Sequence, residues 1–322
     1  MKAIVQPEYG SPDVLQLQQV EKPVVDDDDV LVRVRASSVN ALEWHMLTGL
    51  PYLVRPQAGL RKPKRAILGA DVAGRVDAVG KNVTRLQPGD EVFGDIGNGA
   101  YAEYVCAPEA RLVLKPAKLT FEQAAAVPVA ALTALQGLRD IGQIQSGQKV
   151  LINGASGGVG TFAVQIAKSF GADVTGVCST RNVDMVRSIG ADHVVDYTQE
   201  DFTQSGQSHD LMFDVPGNRP WAECKRVLSR GGTYVMVGGP KGRWLGPLRH
   251  LLGVKVASLV GNRRVGWFVA QMKEEDLSFL SELLESGEVV PVIEATYPLE
   301  QTPEALRYLG EGHAQGKNVI TV

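Results

Sequence analysis

The residues with the clearest chemistry form a glycine-rich turn that follows the short apolar run Val150–Ile152. Glycines in such a turn let the backbone come close to a pyrophosphate, and the positive end of a following helix attracts that anion. The turn therefore predicts a dinucleotide-binding site. The residues expected to contact the dinucleotide are Gly154, Ser156, Gly157, Gly158, Val159 and Gly160.

The elements around the turn strengthen this prediction. Read strictly as G-x-G-x-x-G, the motif has Ala155 at its first glycine position, with Gly157 and Gly160 at the other two. Apolar side chains then recur at helical spacing, and a second strand is expected at Val174–Cys178, after Gly171 ends the helix. A strand, a turn, a helix and a strand in this order are typical of a βαβ nucleotide-binding unit. The alternative is a glycine-rich turn that binds nothing.

The end of the second strand indicates which dinucleotide is bound. An acidic residue there would hydrogen-bond the ribose of NAD, but the strand is followed by Ser179, Thr180 and Arg181 instead. Hydroxyl donors and a guanidinium are suited to a phosphate dianion. NADPH is therefore predicted as the cofactor, with Ser179 and Arg181 at its 2′-phosphate. The alternative places Arg181 on the solvated first turn of a helix.

Composition and charge narrow the function classes. A chain of 322 residues, 44% of them hydrophobic, can bury a large core, and its length favours two domains. The net charge of −3 provides no overall basic field for nucleic acid. No apolar run reaches the roughly 18 residues of a membrane span, and Met1 leads directly into a strand-like segment. We expect a cytoplasmic protein without membrane insertion, and its three scattered cysteines predict no disulfide framework.

The pattern of elements predicts two domains. Residues 1–119 are rich in short strands separated by turn residues, and the tail at 263–322 is expected to return to them and close their sheet. Residues 120–262 alternate between helix and strand, which predicts a doubly wound parallel sheet of the Rossmann type. The strands of this α/β domain are expected near Val150, Val174, Val194, Leu211, Val235 and Val256.

Several motifs together resemble those of one superfamily. They are Ala36–Asn40, Leu68–Gly74, Gly89–Gly94, Ala130–Ala134, the Gly154–Gly160 turn and Gly190–Val194. With them the chain resembles the medium-chain dehydrogenase/reductase superfamily, and within it the zinc-independent quinone reductase branch that includes zeta-crystallin. This resemblance implies a β-rich GroES-like barrel domain beside the Rossmann domain.

The resemblance also implies that no catalytic zinc is bound. The zinc alcohol dehydrogenases of this superfamily have a cysteine where this chain has Asn40, and a His-Glu pair where it has Ala70-Asp71. A zinc site needs about three or four convergent Cys, His or carboxylate ligands, and His45 and Cys106 are the only soft donors in the first domain. Neither catalytic nor structural zinc is expected.

Without a metal, the simplest chemistry is hydride transfer to an acceptor that is already electrophilic. A quinone or an α,β-unsaturated carbonyl compound fits, so a small hydrophobic electrophile is the expected substrate. The resemblance places Asn40 and Tyr52 near the nicotinamide as hydrogen-bond donors to the substrate oxygen. Their alternative roles are a turn residue at a strand end and an aromatic plug.

The resemblance further implies the remaining cofactor contacts. Thr133 is expected against the nicotinamide ring, and Val237, Gly238 and Gly239 are expected to face the carboxamide. Tyr197 is expected near the adenosine phosphate. A homodimer through the edge of the Rossmann sheet, at Lys255–Val260, is also expected from relatives.

Some features leave alternatives open. The basic cluster Arg61, Lys62, Lys64 and Arg65 either attracts an anionic substrate or forms a solvated loop. The segment Lys241–Trp267 lines a hydrophobic pocket, forms a subunit contact or provides a membrane-surface patch, and ordinary packing is favoured over the last of these. The alternative functions are reduction of another activated double bond, such as an enoyl thioester, and NADPH binding with a structural or regulatory role.

Overall fold

The computed structural model describes residues 1–239, 262–312 and 315–322, which fall into two compact units. The first unit comprises Met1–Ala130, Met272–Ser286 and Pro291–Val322, and the second comprises Ala131–Gln271 and Gly287–Val290. The boundaries expected from the sequence, at 119/120 and 262/263, differ from these divisions. The first division falls within a helix at Pro128–Gln136, because the Val129 N–H at its start is bound by a carboxylate of the first unit.

The described residues contain fifteen strands, which include those expected near Val150, Val174, Val194, Leu211 and Val235. In chain order they are β1 (Lys2–Val5), β2 (Gln16–Gln19), β3 (Asp29–Ser38), β4 (Asp71–Val79), β5 (Glu91–Asp95), β6 (Tyr104–Pro108), β7 (Val113–Leu114), β8 (Lys149–Asn153), β9 (Asp173–Cys178), β10 (His193–Asp196), β11 (His209–Asp214), β12 (Leu228–Met236), β13 (Arg264–Trp267), β14 (Ile293–Pro298) and β15 (Lys317–Thr321).

The α-helices of the described residues are short, and a single π-helical turn at Gly137–Ile141 extends one of them. They are α1 (Ala41–Thr48), α2 (Arg55–Ala58), α3 (Phe121–Ala125), α4 (Pro128–Gln136), α5 (Gly158–Ser169), α6 (Val183–Ser188), α7 (Trp221–Cys224), α8 (Glu274–Ser286) and α9 (Thr302–Glu311). In this part of the chain, no helix has both the length and the apolar character needed to cross a membrane.

The first unit is built on a mostly antiparallel sheet in the order β14-β15-β3-β4-β5-β7. Strand β3 alternates buried valines with exposed arginines, so one face packs on the core. One edge of β3 is shared, because β6 pairs with its first half and β15 pairs with its last residues, Ala36–Ser38. The chain therefore returns from the second unit to close this sheet, as the sequence predicts.

The second unit contains a parallel sheet in the order β10-β9-β8-β11-β12-β13. In order of appearance these strands are arranged 3-2-1-4-5-6, which is the Rossmann arrangement. The predicted α/β fold class is therefore confirmed. The strand expected near Val256 lies outside the described residues, as do most of the segment Lys241–Trp267 and the dimer edge expected at Lys255–Val260. The outermost described strand, β13, was not predicted.

Helix α5 is buried on more sides than its apolar stripe predicts. Every residue from Gly160 to Ala167 is buried, including the polar Gln165. Its amide donates to the Val290 carbonyl at 3.0 Å and accepts the Val290 N–H at 2.8 Å. The segment Gly287–Val290 is thereby held on α5, which explains why it belongs to the second unit.

Candidate functional site

The glycine turn connects β8 to α5 through a tightly packed backbone. Gly154 has a φ of +82°, and its N–H and that of Ala155 both donate to the Val177 carbonyl, at 3.1 and 3.0 Å. A Cβ on Gly160 would lie 2.0 Å from the Gly154 carbonyl oxygen. Packing within the chain therefore requires glycine at residue 160, since no side chain fits between the helix and the turn.

Gly157 is glycine for a different reason. A Cβ there would meet nothing nearer than the Gly154 carbonyl oxygen at 3.7 Å, and its φ is −82°. None of the described residues around it requires a glycine at this position. Gly157 is the N-cap of α5, so the amides of Gly158, Val159 and Gly160 have no partner within the helix. Such donors suit an anion, and a pyrophosphate at this position stays a prediction.

A buried amide connects the turn to the end of β9. Asn182 is 4% exposed, and its Nδ2 donates to the hydroxyl of Ser156 at 2.9 Å and to that of Ser179 at 3.3 Å. Each serine hydroxyl that accepts a hydrogen bond keeps its own hydrogen to donate. The structure thus brings Ser156 and Ser179 together as predicted site residues. Asn182 was missed, because its only signal was its position after Arg181.

In the Ser-Thr-Arg segment after β9, Thr180 has a different partner from the phosphate that the sequence suggests. The Thr180 hydroxyl donates to the Asp196 carboxylate at 2.6 Å, so its hydrogen is not directed to a phosphate. Asp196 ends the neighbouring strand β10, opposite Cys178, and also accepts from the Thr198 N–H and hydroxyl. The hydrogen bond from Thr180 lowers the pKa of Asp196 below its usual range. The carboxylate of Asp196 is therefore present at this edge, at the end of β10 and not at the end of β9, where an acid was looked for in the sequence.

Two further predicted residues lie on the surface at this edge. Arg181 is exposed on the short helical turn Thr180–Asn182. Tyr197 is 54% exposed and donates its N–H to the Cys178 carbonyl at 3.0 Å. Arg181 follows β9, which neighbours β8, and Tyr197 follows β10, one strand further out. Their contact with the adenosine end of a dinucleotide stays a prediction.

A buried carboxylate fixes the loop that follows β11. Asp214 is fully buried and accepts hydrogen bonds from Asn153 Nδ2 at 2.9 Å, the Tyr234 hydroxyl at 2.7 Å and the Gly217 N–H at 3.1 Å. Burial raises the pKa of Tyr234 far above its usual value, so the phenol stays protonated and donates. This network lies at the carboxyl ends of β8, β11 and β12.

The loop after β12 packs against the loop that Asp214 fixes. A Cβ on Gly238 would lie 2.4 Å from the Val215 carbonyl oxygen, and one on Gly154 would lie 3.0 Å from Pro216. Val237, Gly238 and Gly239 are thereby placed at the same sheet edge as the glycine turn. Thr133 lies half-buried in α4.

The first unit contains a second polar cluster, centred on Asp71. This carboxylate is fully buried, and its Oδ2 accepts from the Ser38 hydroxyl at 2.5 Å and from Asn40 Nδ2 at 2.9 Å. The Lys317 ammonium lies 3.5 Å from the same oxygen and donates to Oδ1 of Asn40. The other Asp71 oxygen accepts the Val129 N–H at 2.8 Å. Asp71 and Lys317 thus hold the Asn40 amide by both of its ends.

Asn40 is oriented by this cluster and by the start of α1. It is 8% exposed and is the N-cap of the helix. Its amide group has two hydrogens, and one of them is donated to Asp71. Donation of the other hydrogen to a substrate oxygen stays a prediction. Lys317 was not recognised from the sequence, because a lysine 277 positions away gives no local signal.

A second carboxylate, Glu43, is buried beside the first. One oxygen accepts the Asn40 N–H and the other accepts the Ala70 N–H, each at 2.8 Å. Burial, and then the nearby charge of Asp71, raise the pKa of Glu43 from 4.5 to about 7. Glu43 therefore fixes the backbone on both sides of the cluster and titrates near neutral pH.

Tyr52 lies in a different environment from Asn40. It is half-buried in the helical turn Tyr52–Val54, and the Arg55 guanidinium lies 4.5 Å from the centre of its ring. The same guanidinium lies 4.7 Å from the ring of Tyr9 and donates to the Gly49 carbonyl. Tyr52 is thus part of a cation–π stack, and its hydroxyl as a substrate donor stays a prediction.

The donor set at Asn40 does not fit a zinc ion. Its members are a neutral amide and a carboxylate, and the Lys317 ammonium already occupies the cation position among their oxygens. Across the described ranges of the chain, no group of three or more His, Cys, Asp and Glu side chains is arranged to hold a metal ion.

Family models match both parts of the chain. The model for the alcohol dehydrogenase GroES-like domain matches residues 26–117. The model for zinc-binding dehydrogenases matches residues 189–320. The first match covers most of the antiparallel sheet of the first unit, and the second begins in the parallel sheet and extends through β15.

Individual relatives match almost the full length. The chain is 33% identical to a chloroplastic quinone oxidoreductase of Triphysaria versicolor, over 99% of this chain and 98% of that protein. It is 35% identical to 2-methylene-furan-3-one reductase of Solanum lycopersicum, over 99% of this chain and 79% of that protein. The structure of Escherichia coli quinone oxidoreductase complexed with NADPH is similar with a TM-score of 0.86 at 27% identity, covering 100% of both chains.

The two turn glycines should respond differently to alanine. Gly160→Ala is expected to lower the free energy of unfolding by about 3 kcal/mol, because its Cβ overlaps a backbone oxygen. Gly157→Ala should keep the wild-type melting temperature and weaken NADPH binding by about tenfold, ~1.4 kcal/mol. Thermal unfolding and calorimetric titration with NADPH measure both effects. Wild-type NADPH affinity in Gly157→Ala would contradict the assignment of the pyrophosphate site.

The raised pKa of Glu43 should make stability depend on pH. Because its pKa is about 7 in the folded chain and 4.5 ordinarily, protonation favours folding. This stabilisation is complete below pH 4.5 and is lost as the pH rises through 7, a change of about 3 kcal/mol. Denaturant unfolding of wild type and Glu43→Gln across this range should show a smaller decline in the variant. The exposed Glu200→Gln is the control, and equal declines in wild type and Glu43→Gln would refute the assignment.

Proposed function

This chain belongs to the zinc-independent quinone oxidoreductase branch of the medium-chain dehydrogenase/reductase superfamily, and we propose that it transfers hydride from NADPH to a quinone or an α,β-unsaturated carbonyl compound. The observation that carries the proposal is the Asn40 amide, held by Asp71 and Lys317 where zinc enzymes of the superfamily have a ligand. The names of the Triphysaria and Solanum relatives support this class of acceptor.

NADPH is the proposed cofactor. The open space at Gly157 and the amides at the start of α5 accommodate the pyrophosphate. Ser179 and Arg181 supply a hydroxyl and a guanidinium for the 2′-phosphate, with Tyr197 beside them. The NADPH complex of the similar Escherichia coli structure supports the assignment. Thr133 and Val237–Gly239 are proposed to border the nicotinamide.

The residues of the first unit are proposed to stabilise the charge that develops on the acceptor. Bound NADPH supplies the hydride. As negative charge grows on the acceptor oxygen, the second amide hydrogen of Asn40 donates to it, and Tyr52 is proposed as a further donor. Lys317 holds the amide oxygen, so the amide hydrogens point away from it. A hydroquinonate takes its final proton from water, so no dedicated general acid is required.

The setting of the enzyme is also part of the proposal. All three cysteines are unpaired, and Cys178 and Cys224 are buried, which is typical of a reducing compartment such as the cytoplasm. A homodimer through the edge of the Rossmann sheet is proposed as well. Light scattering of the purified protein measures its mass in solution. A monomeric mass at micromolar concentration would contradict the proposed homodimer.

The acceptor class is tested by NADPH oxidation against quinones, enones, enals, an enoyl thioester and simple ketones. We expect turnover of quinones or enones, little turnover of simple ketones, and no effect of a chelator. Loss of activity with a chelator would overturn the metal-free reaction. Tight NADPH binding with no turnover of any acceptor would favour a structural or regulatory protein.

The role of Asn40 is tested in the same assay. Asn40→Ala should lower kcat by about 100-fold with an unchanged KM for NADPH, because it removes one donor to the developing oxyanion. The exposed Asn82→Ala is the control and should retain wild-type kcat. An unchanged kcat in Asn40→Ala would exclude the amide from the reaction.

The cofactor preference is tested with one variant that removes a positive charge and one that removes a negative charge near the proposed 2′-phosphate site. Arg181→Ala should raise the KM for NADPH by about tenfold and leave the KM for NADH unchanged, since only NADPH carries the 2′-phosphate. Asp196→Asn should lower the KM for NADPH, because it removes a negative charge at the same edge while keeping an acceptor for Thr180. Arg187→Ala, on the exposed face of α6, controls for net charge. Equal efficiency with NADH in the wild type would contradict the preference.

A further inference from the structure

A cavity of about 350 Å³ lies in the first unit, and the residues that line it are different from those assigned above. Its wall includes Gln6, at the end of β1, and Lys64 and Arg65, from the basic loop. Met46 and Leu68 provide apolar surface, and Asn98 provides an amide. Its volume is at the lower end of those of small-molecule sites.

The Gln6 side chain is held in place by backbone carbonyls. Gln6 is 2% exposed, and its Nε2 donates to the carbonyls of Glu8 at 3.1 Å and Leu47 at 2.9 Å. Its Oε1 is buried and has no hydrogen-bond partner among the residues that the structure describes. An unsatisfied buried acceptor costs about 1–3 kcal/mol. Gln6 therefore contributes a fixed part of the wall, held by its amide hydrogen bonds, and its shielded Oε1 is not a contact for a ligand.

The charged side chains that line the cavity are positive. Lys64 and Arg65 are both exposed basic residues, and no carboxylate is among the residues that line the cavity. A pair of neighbouring cations favours a carboxylate or a phosphate, particularly where an arginine can donate two parallel hydrogen bonds. The sequence left open whether the basic cluster was a solvated loop. The structure divides it, since Lys64 and Arg65 line the cavity and Arg61 and Lys62 do not.

The loop that carries these cations is held in place by several hydrogen bonds. The Ala66 carbonyl accepts the Gln6 N–H at 2.6 Å, and the Lys64 N–H donates to the Ala58 carbonyl at 2.8 Å. The Tyr9 hydroxyl donates to the Gly59 carbonyl at 2.6 Å, where a φ of +123° requires glycine. The backbone beneath Lys64 and Arg65 is therefore ordered before a ligand arrives, which reduces the entropy cost of binding.

We propose that this cavity binds an amphipathic anion. Its carboxylate or phosphate contacts Lys64 and Arg65, and its short apolar part packs on Met46 and Leu68. The site goes beyond the proposed reductase activity and does not depend on it, because binding can be measured without NADPH or an acceptor.

Calorimetric titration with hexyl phosphate, hexanoate and hexanol tests the site. We expect hexyl phosphate and hexanoate to bind and hexanol to bind at least about tenfold more weakly. Tighter binding of hexyl phosphate would identify a phosphate ester as the ligand class, and equal binding of the two anions would identify a monoanion such as a carboxylate. Equal binding of hexanol, or no binding of either anion at 10 mM, would overturn the proposal.

Two double variants with the same change in charge locate the binding. Lys64→Gln with Arg65→Gln should weaken hexyl phosphate binding by about tenfold or more, whereas Arg61→Gln with Lys62→Gln should change it by less than about twofold. Melting temperatures confirm that both variants fold. If both variants weaken binding equally, the anion is attracted by the overall positive charge of the loop, and the proposal of a site in the cavity is wrong.

Discussion

The first unit depends on one buried carboxylate, that of Asp71. Removing such a group from water costs several kcal/mol unless donors replace the lost hydration. Its donors here come from the end of β3, the N-cap of α1, the start of α4 and the start of β15. Segments separated by more than two hundred positions are therefore fixed against one another. Because removal of one partner leaves a buried charge unpaired, these elements are positioned together or not at all.

A similar arrangement is found in the second unit, with neutral partners. Asp214 at the end of β11 accepts from an amide, a phenol and a backbone N–H, and holds the loop that supports Gly238. In both units a buried carboxylate at a strand terminus orders groups that belong to the proposed site. The difference is the ammonium of Lys317, which balances Asp71 and leaves Asn40 as an oriented, neutral donor. The first site thus combines a fixed geometry with little net charge.

The sequence predicts the parts of this structure that have local signals. Hydrophobic spacing and the positions of the glycines predict the glycine turn, α5 and β9. The repeated alternation of strand and helix then predicts the parallel sheet. Partners from distant segments could not be predicted in this way. Lys317 hydrogen-bonds Asn40, and Gln165 hydrogen-bonds Val290, although each pair is far apart in the sequence. No local residue pattern indicates these contacts. Thr180 was interpreted from its own strand, whereas its hydrogen bond goes to the next one, at Asp196.

The cluster at Asn40 also limits which acceptors the proposed reaction can use. The charge of Lys317 is already balanced by Asp71, and burial further lowers the pKa of Lys317, while the nearby carboxylates oppose that change. What remains for the substrate oxygen is an amide hydrogen, whose partial charge stabilises an oxyanion less than a metal or an unpaired cation does. A simple ketone would concentrate a full charge on one oxygen. A quinone or an enone spreads that charge over a conjugated system, so a single oriented amide is sufficient for its reduction.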